Sequence, residues 1–383
     1  MMQPRLISLI IAVGLLSAGC AAIDAINPFA KSGATMQPLT VFTPTVVTRA
    51  LWTANAGKAG DYTFAPAVVG DAIFVASQDG TIRRLEGGKT VWKISTGHAL
   101  SAGVAANDRL VVVGTPKGDV MAYAAADGKA LWQTKVTSEV LASPVIGDEG
   151  IAVRSGDNRV SLLDASDGGR KWIYQRAMPT LSIRGAGSPV FADRYLFVGF
   201  PGGRLVALSL QNGAPAWEGP VAQPKGATEL DRVTDVVVPP AVDGRQICAV
   251  AFQGRVACFD MGQGGALVWS REMSSTSGLA LDGRYLFVTD DKGSVHALDR
   301  LTGSSLWKQD KLLNRRVSGP AVRGALVAVA DGEGYVHFLS REDGSFVGRH
   351  KTDGTPVRSP VRLLGSNFVV QTAGGDVSVI EAQ

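Results

Sequence analysis

The chain has 383 residues, of which 45% are hydrophobic and 19% are charged, and this composition is too apolar for an intrinsically disordered protein. Its formal net charge is +4, but Lys and Arg are spread along the chain without basic runs, which argues against nucleic-acid binding. The composition favours a folded protein with a large apolar core and many tight turns, since glycine occurs 46 times.

The N-terminus has the pattern of a secretion signal. Arg5 precedes the apolar run Leu6–Leu16, and small residues then lead to Cys20. This segment resembles a bacterial lipoprotein signal peptide, which implies cleavage before Cys20 and a lipid on that residue. A membrane-spanning helix is the alternative, but the apolar run is well short of the roughly 20 residues that such a helix needs. The sequence therefore predicts a signal peptide over residues 1–19.

Residues 20–45 follow the predicted cleavage site and show no sustained hydrophobic periodicity. We expect this proline-containing stretch to be a lipidated tether between the membrane and the folded part of the chain. Resemblance to lipoprotein signals also implies that Ala21, which is not Asp, does not retain the product at the inner membrane. The predicted location is the periplasmic face of the outer membrane, with a lipid anchor.

The remaining chain is built from copies of one sequence unit, which is clearest at Gly283–Trp307. Tyr285–Thr289 is an apolar and β-branched run, residues 290–293 form a turn cluster, and Ser294–Leu298 is a second apolar run. A further turn leads to a short strand that carries Trp307. Each unit therefore predicts a β-hairpin and additional short strands.

Eight such units can be aligned on the residue at the hairpin turn, where a positive φ is expected. These residues are Gly80, Gly118, Asn158, Gly203, Gly254, Gly293, Gly334 and Gly375. The first six units continue to a tryptophan in the last strand: Trp92, Trp132, Trp172, Trp217, Trp269 and Trp307. The seventh unit has Gly348 in that place, and the eighth reaches the C-terminus first.

One tryptophan, Trp52, precedes the first complete unit. The missing last strand of the eighth unit would then come from the N-terminus, which closes the array into a ring and removes its free edges. Periods near forty residues with four short strands are typical of β-propellers. We predict an all-β, eight-bladed propeller of four-stranded antiparallel blades over residues 46–383, closed by the strand that carries Trp52.

Two connections between units are longer than the others, namely Ile173–Ser188 and Glu218–Pro239. Equivalent connections of a propeller emerge on one face, so we expect these inserts to lie side by side. Long loops on a rigid scaffold are frequent carriers of function.

Two cysteines, Cys248 and Cys258, lie on the arms of one predicted hairpin. An oxidising periplasm permits a disulfide, but the register decides whether it forms. A two-residue loop pairs Cys248 with Phe259, whereas a three-residue loop pairs it with Cys258. The alternative to a bridge is a pair of small buried hydrophobic side chains.

Catalytic chemistry has little support in this sequence. The four histidines are scattered through different units without metal-ligand spacing, and no nucleophile motif is present. They are His98, His296, His337 and His350. We therefore predict no catalytic residues and no metal site.

The stretch from Ala297 to Trp307 closely resembles the tryptophan-docking repeat of pyrroloquinoline-quinone dehydrogenases, which are also eight-bladed propellers. In those enzymes the repeat packs blades together, while an adjacent pair of cysteines and acidic calcium ligands serve the cofactor. No two cysteines are adjacent in this chain. We predict that it has no cofactor and is not an enzyme, with a quinoprotein-like dehydrogenase as one alternative and a cell-wall-binding propeller as another.

A lipoprotein signal followed by eight such repeats resembles the BamB family of outer-membrane protein assembly factors. The match is most specific at residues 181–185, Leu-Ser-Ile-Arg-Gly, which is similar to the family segment that binds the periplasmic POTRA domains of BamA. Residues 229–232 and Asp235 match the second insert, but Val237 stands where the family has another acidic residue. The resemblance implies a non-enzymatic scaffold of the barrel-assembly complex that assists outer-membrane proteins, whose unfolded chains are a further candidate partner.

The implied BamA-binding residues are Leu181, Ile183, Arg184 and Asp235. If Leu181 and Ile183 are exposed on extended backbone, both point to the same side; the alternative is that they pack back onto the blade. Arg184 is of a residue type that is favoured at interface hot spots. Asp235 is expected to act as a rim charge that orients docking.

Overall fold

The computed structural model describes residues 35–185 and 187–383. The predicted signal peptide over residues 1–19, the lipidation site Cys20 and the first part of the predicted tether lie outside the described residues. Residues Gln37–Gln383 form one compact unit. Within the described part of the chain, no helix is long and apolar enough to cross a membrane.

The fold is an eight-bladed β-propeller, as the sequence predicted. Each of the eight sheets has four strands, and consecutive strands pair antiparallel from the innermost to the outermost position. Seven blades are continuous in sequence, and the eighth takes its outermost strand from the N-terminus.

The first four blades use the strands β2 to β17. Blade 1 contains β2 (Ala67–Val69), β3 (Ala72–Ala76), β4 (Thr81–Glu86) and β5 (Lys89–Ser95). Blade 2 contains β6 (Ala102–Ala106), β7 (Leu110–Gly114), β8 (Asp119–Ala124) and β9 (Ala130–Lys135). Blade 3 contains β10 (Val145–Gly147), β11 (Gly150–Arg154), β12 (Arg159–Leu163) and β13 (Arg170–Gln175). Blade 4 contains β14 (Val190–Ala192), β15 (Tyr195–Phe200), β16 (Arg204–Ser209) and β17 (Pro215–Pro220).

The other four blades use β18 to β32 together with β1. Blade 5 contains β18 (Ala241–Asp243), β19 (Gln246–Val250), β20 (Arg255–Asp260) and β21 (Ala266–Glu272), with a short 3₁₀ turn at Met261–Gln263. Blade 6 contains β22 (Gly278–Asp282), β23 (Tyr285–Thr289), β24 (Val295–Asp299) and β25 (Ser305–Gln309). Blade 7 contains β26 (Ala321–Arg323), β27 (Leu326–Ala330), β28 (Tyr335–Ser340) and β29 (Phe346–Lys351). Blade 8 contains β30 (Arg362–Leu364), β31 (Asn367–Gln371), β32 (Asp376–Ala382) and β1 (Thr48–Asn55).

The ring closes where the first and last strands meet. β1 pairs antiparallel with β32, and Trp52 lies opposite Val379. Val47 and Gln383 then exchange two backbone hydrogen bonds of 2.6 and 3.1 Å. This pairing confirms the predicted closure by the N-terminal strand.

The core lies between neighbouring blades. The second and third strands of a blade are largely buried, as in β3 and β8, because both of their faces meet adjacent sheets. The outermost strands instead alternate between exposed and half-buried residues, as β5 does, which gives each blade one solvated margin.

Each tryptophan of the repeat docks on the next blade. The Trp172 indole, for example, donates a 2.8 Å hydrogen bond to the carbonyl of Leu210, and its ring covers Gly213. Gly213 has a φ of +72°, and a Cβ there would lie 2.5 Å from the ring. The equivalent pairs are Trp52 with Gly88, Trp92 with Gly128, Trp132 with Gly168, Trp217 with Gly265, Trp269 with Gly303 and Trp307 with Gly344.

The seventh blade has no tryptophan because the N-terminal segment occupies that space. A Cβ on Gly348 would lie 3.2 Å from the Val46 carbonyl oxygen. Thr45 and Val46 both donate backbone hydrogen bonds to the carbonyl of Val347, and Phe42 stacks on Phe346 at 5.5 Å. The described end of the predicted tether is therefore held against blade 7.

The positive φ expected at the hairpin turns is found at Asn158, with a φ of 59°, and at six of the seven aligned glycines, such as Gly118 and Gly293. The fifth unit differs. There the left-handed residue is Gln253, with a φ of 46°, instead of Gly254. A Cβ on Gly254 would meet Ala222 at 2.6 Å, so this glycine is required for close packing.

Candidate functional site

The two long inserts meet on one face of the propeller, as predicted. The backbone N–H of Ile183, in the first insert, donates a 2.7 Å hydrogen bond to the carboxylate of Asp235, in the second. Asp235 also accepts a 3.1 Å bond from the Gly202 N–H with its other oxygen. One carboxylate thus joins the first insert to the β15–β16 turn of blade 4.

Asp235 is completely buried, so the expectation that it acts as a rim charge is wrong. Its backbone adds isolated bridges to Pro201 and Phe252, and these bridges fix the second insert between blades 4 and 5. Because its short side chain accepts hydrogen bonds from two loops, Asp235 stabilises this junction from the inside. Asp235 positions the inserts.

A buried arginine, Arg154, supports the same junction and was not predicted from the sequence. It lies at the end of β11, donates a 2.7 Å bond to the Asn158 side chain, and places its guanidinium 5.2 Å from the Phe200 ring centre. Burial lowers the pKa of Arg154 to about 10, while the negative charge of Asp235 opposes that shift. The only sequence signal is a charged residue at the end of an otherwise apolar strand.

The first insert presents its predicted binding residues unequally to solvent. Leu181 has 46% of its surface exposed, and Ile183 is half-buried above the Asp235 junction. The Arg184 side chain is 70% exposed and forms a 2.7 Å ion pair with Glu139, which lies in the connection between blades 2 and 3. We call the residues Met178, Leu181, Arg184 and Leu230 the insert surface, because all four are exposed on the two inserts.

The insert surface borders the central funnel of the propeller. Ile183, Arg184 and Val237 all line the funnel mouth, which is an open cavity of about 550 Å³. Val237 is half-buried there. Val237 stands where the related family segment has an acidic residue. It therefore gives the funnel mouth an apolar wall beside Ile183.

The hairpin of blade 5 has the register that pairs Cys248 with Cys258. Their sulfur atoms are joined in a disulfide. Both cysteines are completely buried in the apolar cluster between blades 5 and 6. The sequence left open whether Cys248 lies opposite Phe259 or Cys258, and the structure has the second register.

Two of the four histidines contact an aspartate of their own hairpin. His296 and His337 each lie within hydrogen-bonding distance of the aspartate three residues before the turn glycine of their own hairpin, at 2.8 Å from Asp290 and 2.9 Å from Asp331. In the part of the chain that the structure describes, no group of three or more His, Cys, Asp and Glu side chains could hold a metal ion.

Comparison with known proteins agrees with this architecture. The family model described as outer membrane protein assembly factor BamB matches residues 78–309 and 292–383. BamB of Burkholderia pseudomallei is 41% identical over 343 residues, which is 89% of this chain and 90% of that protein. The chain belongs to the BamB family.

Other relatives give the same result. BamB of Bordetella pertussis is 38% identical over 95% of both chains. The crystal structure of BamB from Moraxella catarrhalis superposes with a TM-score of 0.82 at 28% identity and covers 88% of this chain and 100% of its own. A quinohemoprotein alcohol dehydrogenase from Comamonas testosteroni shares the fold, with a TM-score of 0.70, 12% identity and coverage of 87% of this chain and 76% of its own.

Membership in the BamB family assigns the chain to outer-membrane protein assembly and an outer-membrane-associated location. It also confirms the prediction that the chain is an assembly factor and not an enzyme. The likeness to the quinohemoprotein alcohol dehydrogenase is a likeness of fold.

Proposed function

We propose that this BamB-family chain is a non-enzymatic scaffold lipoprotein of the β-barrel assembly machinery and binds the periplasmic POTRA domains of BamA through the insert surface. The observation that carries the proposal is the 2.7 Å bond from the Ile183 N–H to Asp235. It fixes the first insert by its backbone, so the side chains of Leu181 and Arg184 are left for a partner.

The chemistry of the insert surface suits a protein partner. Leu181 and Met178 are each 46% exposed, and Leu230 is 69% exposed, so the two inserts together present three large apolar side chains to solvent. Arg184 adds a planar donor whose present partner, Glu139, is itself near the surface. An apolar centre beside an arginine is the composition expected of an interface hot spot.

Asp235 contributes to this binding indirectly in our proposal. Its carboxylate is buried, so a partner meets the loop that it holds instead of its charge. Replacing Asp235 with Ala removes two hydrogen bonds and leaves Arg154 without its nearest negative charge. Such a change lowers both stability and partner affinity.

The test is the affinity of the purified protein for the POTRA domains of BamA. The double variant Leu181→Ala/Arg184→Ala should lose about 2–4 kcal/mol of binding with an unchanged melting temperature, as truncations of exposed hot-spot residues do. The Asp235→Ala variant should lose affinity and also melt earlier.

A matched control changes Leu301, which is 71% exposed, and Arg194, whose side chain is 79% exposed, because both lie away from the inserts. The variant Leu301→Ala/Arg194→Ala should bind like the wild type. Wild-type affinity in the Leu181→Ala/Arg184→Ala protein would mean that the chain docks through a different surface.

We further propose that a lipid on Cys20 anchors the protein to the periplasmic face of the outer membrane. Several acyl chains together give stable attachment, because each buried CH₂ contributes about 0.8 kcal/mol. The variant Cys20→Ser should appear in the soluble periplasmic fraction or remain as uncleaved precursor in the inner membrane. Unchanged fractionation with the outer membrane would rule out this anchor.

A further inference from the structure

The funnel mouth carries a cluster of groups that neither the fold nor the insert surface uses. Its wall is made by the chain segments that lead into the innermost strands of most blades. Among the lining residues are three arginines, Arg184, Arg358 and Arg362, but a single carboxylate, Asp61. The cavity therefore has an excess of positive charge.

Arg184 is the one arginine of the three with an ionic partner. Its guanidinium is held by Glu139 at 2.7 Å. No described carboxylate forms an ion pair with Arg358 or Arg362, and this includes Asp61, although Asp61 lies between two residues whose carbonyls Arg358 contacts. Two positive charges in the mouth thus have no counter-ion among residues 35–185 and 187–383.

Arg358 is oriented by the backbone. Its Nη1 donates to the carbonyl oxygens of Gly60 at 2.6 Å and Tyr62 at 3.2 Å. These neutral acceptors fix the guanidinium at the entrance to blade 1 without cancelling its charge. The other N–H groups of this guanidinium have no hydrogen-bond partner among the described residues.

Arg362 begins the innermost strand of blade 8, where its backbone pairs with Val369, but its side chain makes no hydrogen bond or ion pair with any described residue. It touches solvent, but the funnel wall displaces enough water around it to lower the pKa of its guanidinium by desolvation. An arginine remains charged under these conditions, because its ordinary pKa is above about 12. A charge that is partly desolvated and unpaired attracts an anion.

Ser359 lies between the two arginines in sequence and lines the same cavity. The residue is 1% exposed, and its Oγ has no hydrogen-bond partner among the described residues. Buried hydroxyls are normally paired, so an unpaired one at the wall of a cavity indicates a missing acceptor.

We propose that the funnel mouth is a binding site for an oxyanion, either a carboxylate or a phosphate group, which Arg362 and Arg358 hold and to which the Ser359 hydroxyl donates. Guanidinium groups bind both kinds of oxyanion through paired N–H donors, and these charge-assisted bonds are the strongest class of hydrogen bond in proteins. The three proposed ligand-binding residues are not part of the insert surface, although Arg184 of that surface lines the same cavity, so their replacement tests the oxyanion site without changing the residues proposed to contact BamA.

The experiment is isothermal titration calorimetry of the mature protein with two probes, inorganic pyrophosphate and citrate, at constant ionic strength. Wild-type protein should bind at least one of them at a single site. Pyrophosphate alone would identify a phosphate site, citrate alone a carboxylate site, and binding of both an oxyanion site without further selectivity.

The variants Arg362→Gln and Arg358→Gln should weaken binding at least tenfold, and Ser359→Ala should weaken it several-fold. Arg362→Lys keeps the charge but loses the paired donors, so it should bind with intermediate affinity. Because the Arg362 side chain has no described hydrogen-bond partner, its replacement should leave the melting temperature unchanged.

The matched control is Arg323→Gln. Arg323 is an exposed arginine on the innermost strand of blade 7, but at the end of that strand, away from the funnel mouth. Its replacement should not change the binding of either probe. The proposal is overturned if neither probe binds the wild type, or if Arg362→Gln and Arg323→Gln bind with equal affinity.

Discussion

At the residue scale, His337 is a buried histidine held between an acid and a base. It is fully buried in blade 7, with Nε2 at 2.9 Å from the Asp331 carboxylate. Its Nδ1 accepts a 3.1 Å hydrogen bond from Arg349. This geometry requires a neutral ring protonated on Nε2, and burial lowers the pKa of His337 despite the attraction of Asp331.

This arrangement predicts acid sensitivity. The pKa of His337 is lower in the folded chain than in the unfolded one, so the unfolded chain binds the proton more readily. The contribution to stability is complete above the unfolded pKa of about 6.5 and is lost as the pH falls below it, at up to about 1.4 kcal/mol per pH unit. Urea unfolding at pH 7.5 and pH 5.5 measures the loss.

The variant His337→Gln should reduce this pH dependence without abolishing it, because burial also lowers the pKa of His350. The control variant His98→Gln, at an exposed position, should retain the wild-type dependence. Equal pH dependence in the His337→Gln and His98→Gln proteins would contradict the assignment.

The candidate site could be predicted from the sequence only in part. Leu181, Ile183, Arg184 and Asp235 were found through a family resemblance, and the structure places Ile183 and Asp235 in direct contact. The burial of Asp235 could not be predicted, because it depends on how two loops from different blades pack. Arg362 and Ser359 have no sequence signal, since their position in the funnel exists only after the ring has closed.

At the scale of the element, the contact between a tryptophan and the next blade is the repeated unit of assembly. Trp269 illustrates it, since its indole donates a 2.8 Å hydrogen bond to the Arg300 carbonyl and its ring lies over Gly303. The ring can approach the backbone this closely because Gly303 has no Cβ. Each blade thereby covers the turn of the next one.

This contact predicts a large effect of Gly303→Ala. The new Cβ would lie 2.4 Å from the Trp269 ring at a φ of +72°, so both overpacking and backbone strain result. We expect a loss of about 2–4 kcal/mol in the free energy of unfolding, measured with urea.

Gly324→Ala is the matched control, because Gly324 also has a positive φ, +57°, but nothing lies within 4 Å of its Cβ position. It should cost only the strain of the left-handed backbone, about 1–2 kcal/mol. If the two variants lose equal stability, the tryptophan contact contributes nothing beyond the conformation of the turn.

The strands and turns of each blade were predictable because a hairpin is a local structure that is encoded by neighbouring residues. The glycine under each tryptophan was not assigned, since it belongs to the following unit. Gly348 was recognised as the residue that replaces tryptophan in the seventh unit. The replacement is explained by Val46 of the N-terminal segment, which packs there and is distant in sequence.

At the scale of the whole molecule, the ring depends on β1. This strand completes blade 8, and its Trp52 covers Gly88 of blade 1, so one segment joins the last blade to the first. The preceding residues extend the contact to blade 7, where Arg315 and Arg349 donate to the carbonyls of Gln37 and Thr40 at 2.9 and 3.1 Å.

Removal of residues 21–54 from the mature chain should therefore open the ring. We expect a melting temperature lowered by more than 10 °C, because the last blade loses its outer strand and a docking tryptophan together. Differential scanning calorimetry measures the change. A control that lacks only residues 21–36 keeps β1 and the contacts with blade 7, and it should melt like the full mature chain. Similar melting of both truncated proteins would disprove the closure.

The pairing of β1 with β32 also sets an order of events during synthesis. Arg49 and its partner Glu381 are separated by 332 positions, so β1 has no sheet partner until β32 has been synthesised. A chain that stops early leaves β1 with an unpaired edge, even if its central blades have folded. Closure of the ring therefore requires that β32 has been synthesised, and a chain that lacks this strand keeps the edge of β1 unpaired.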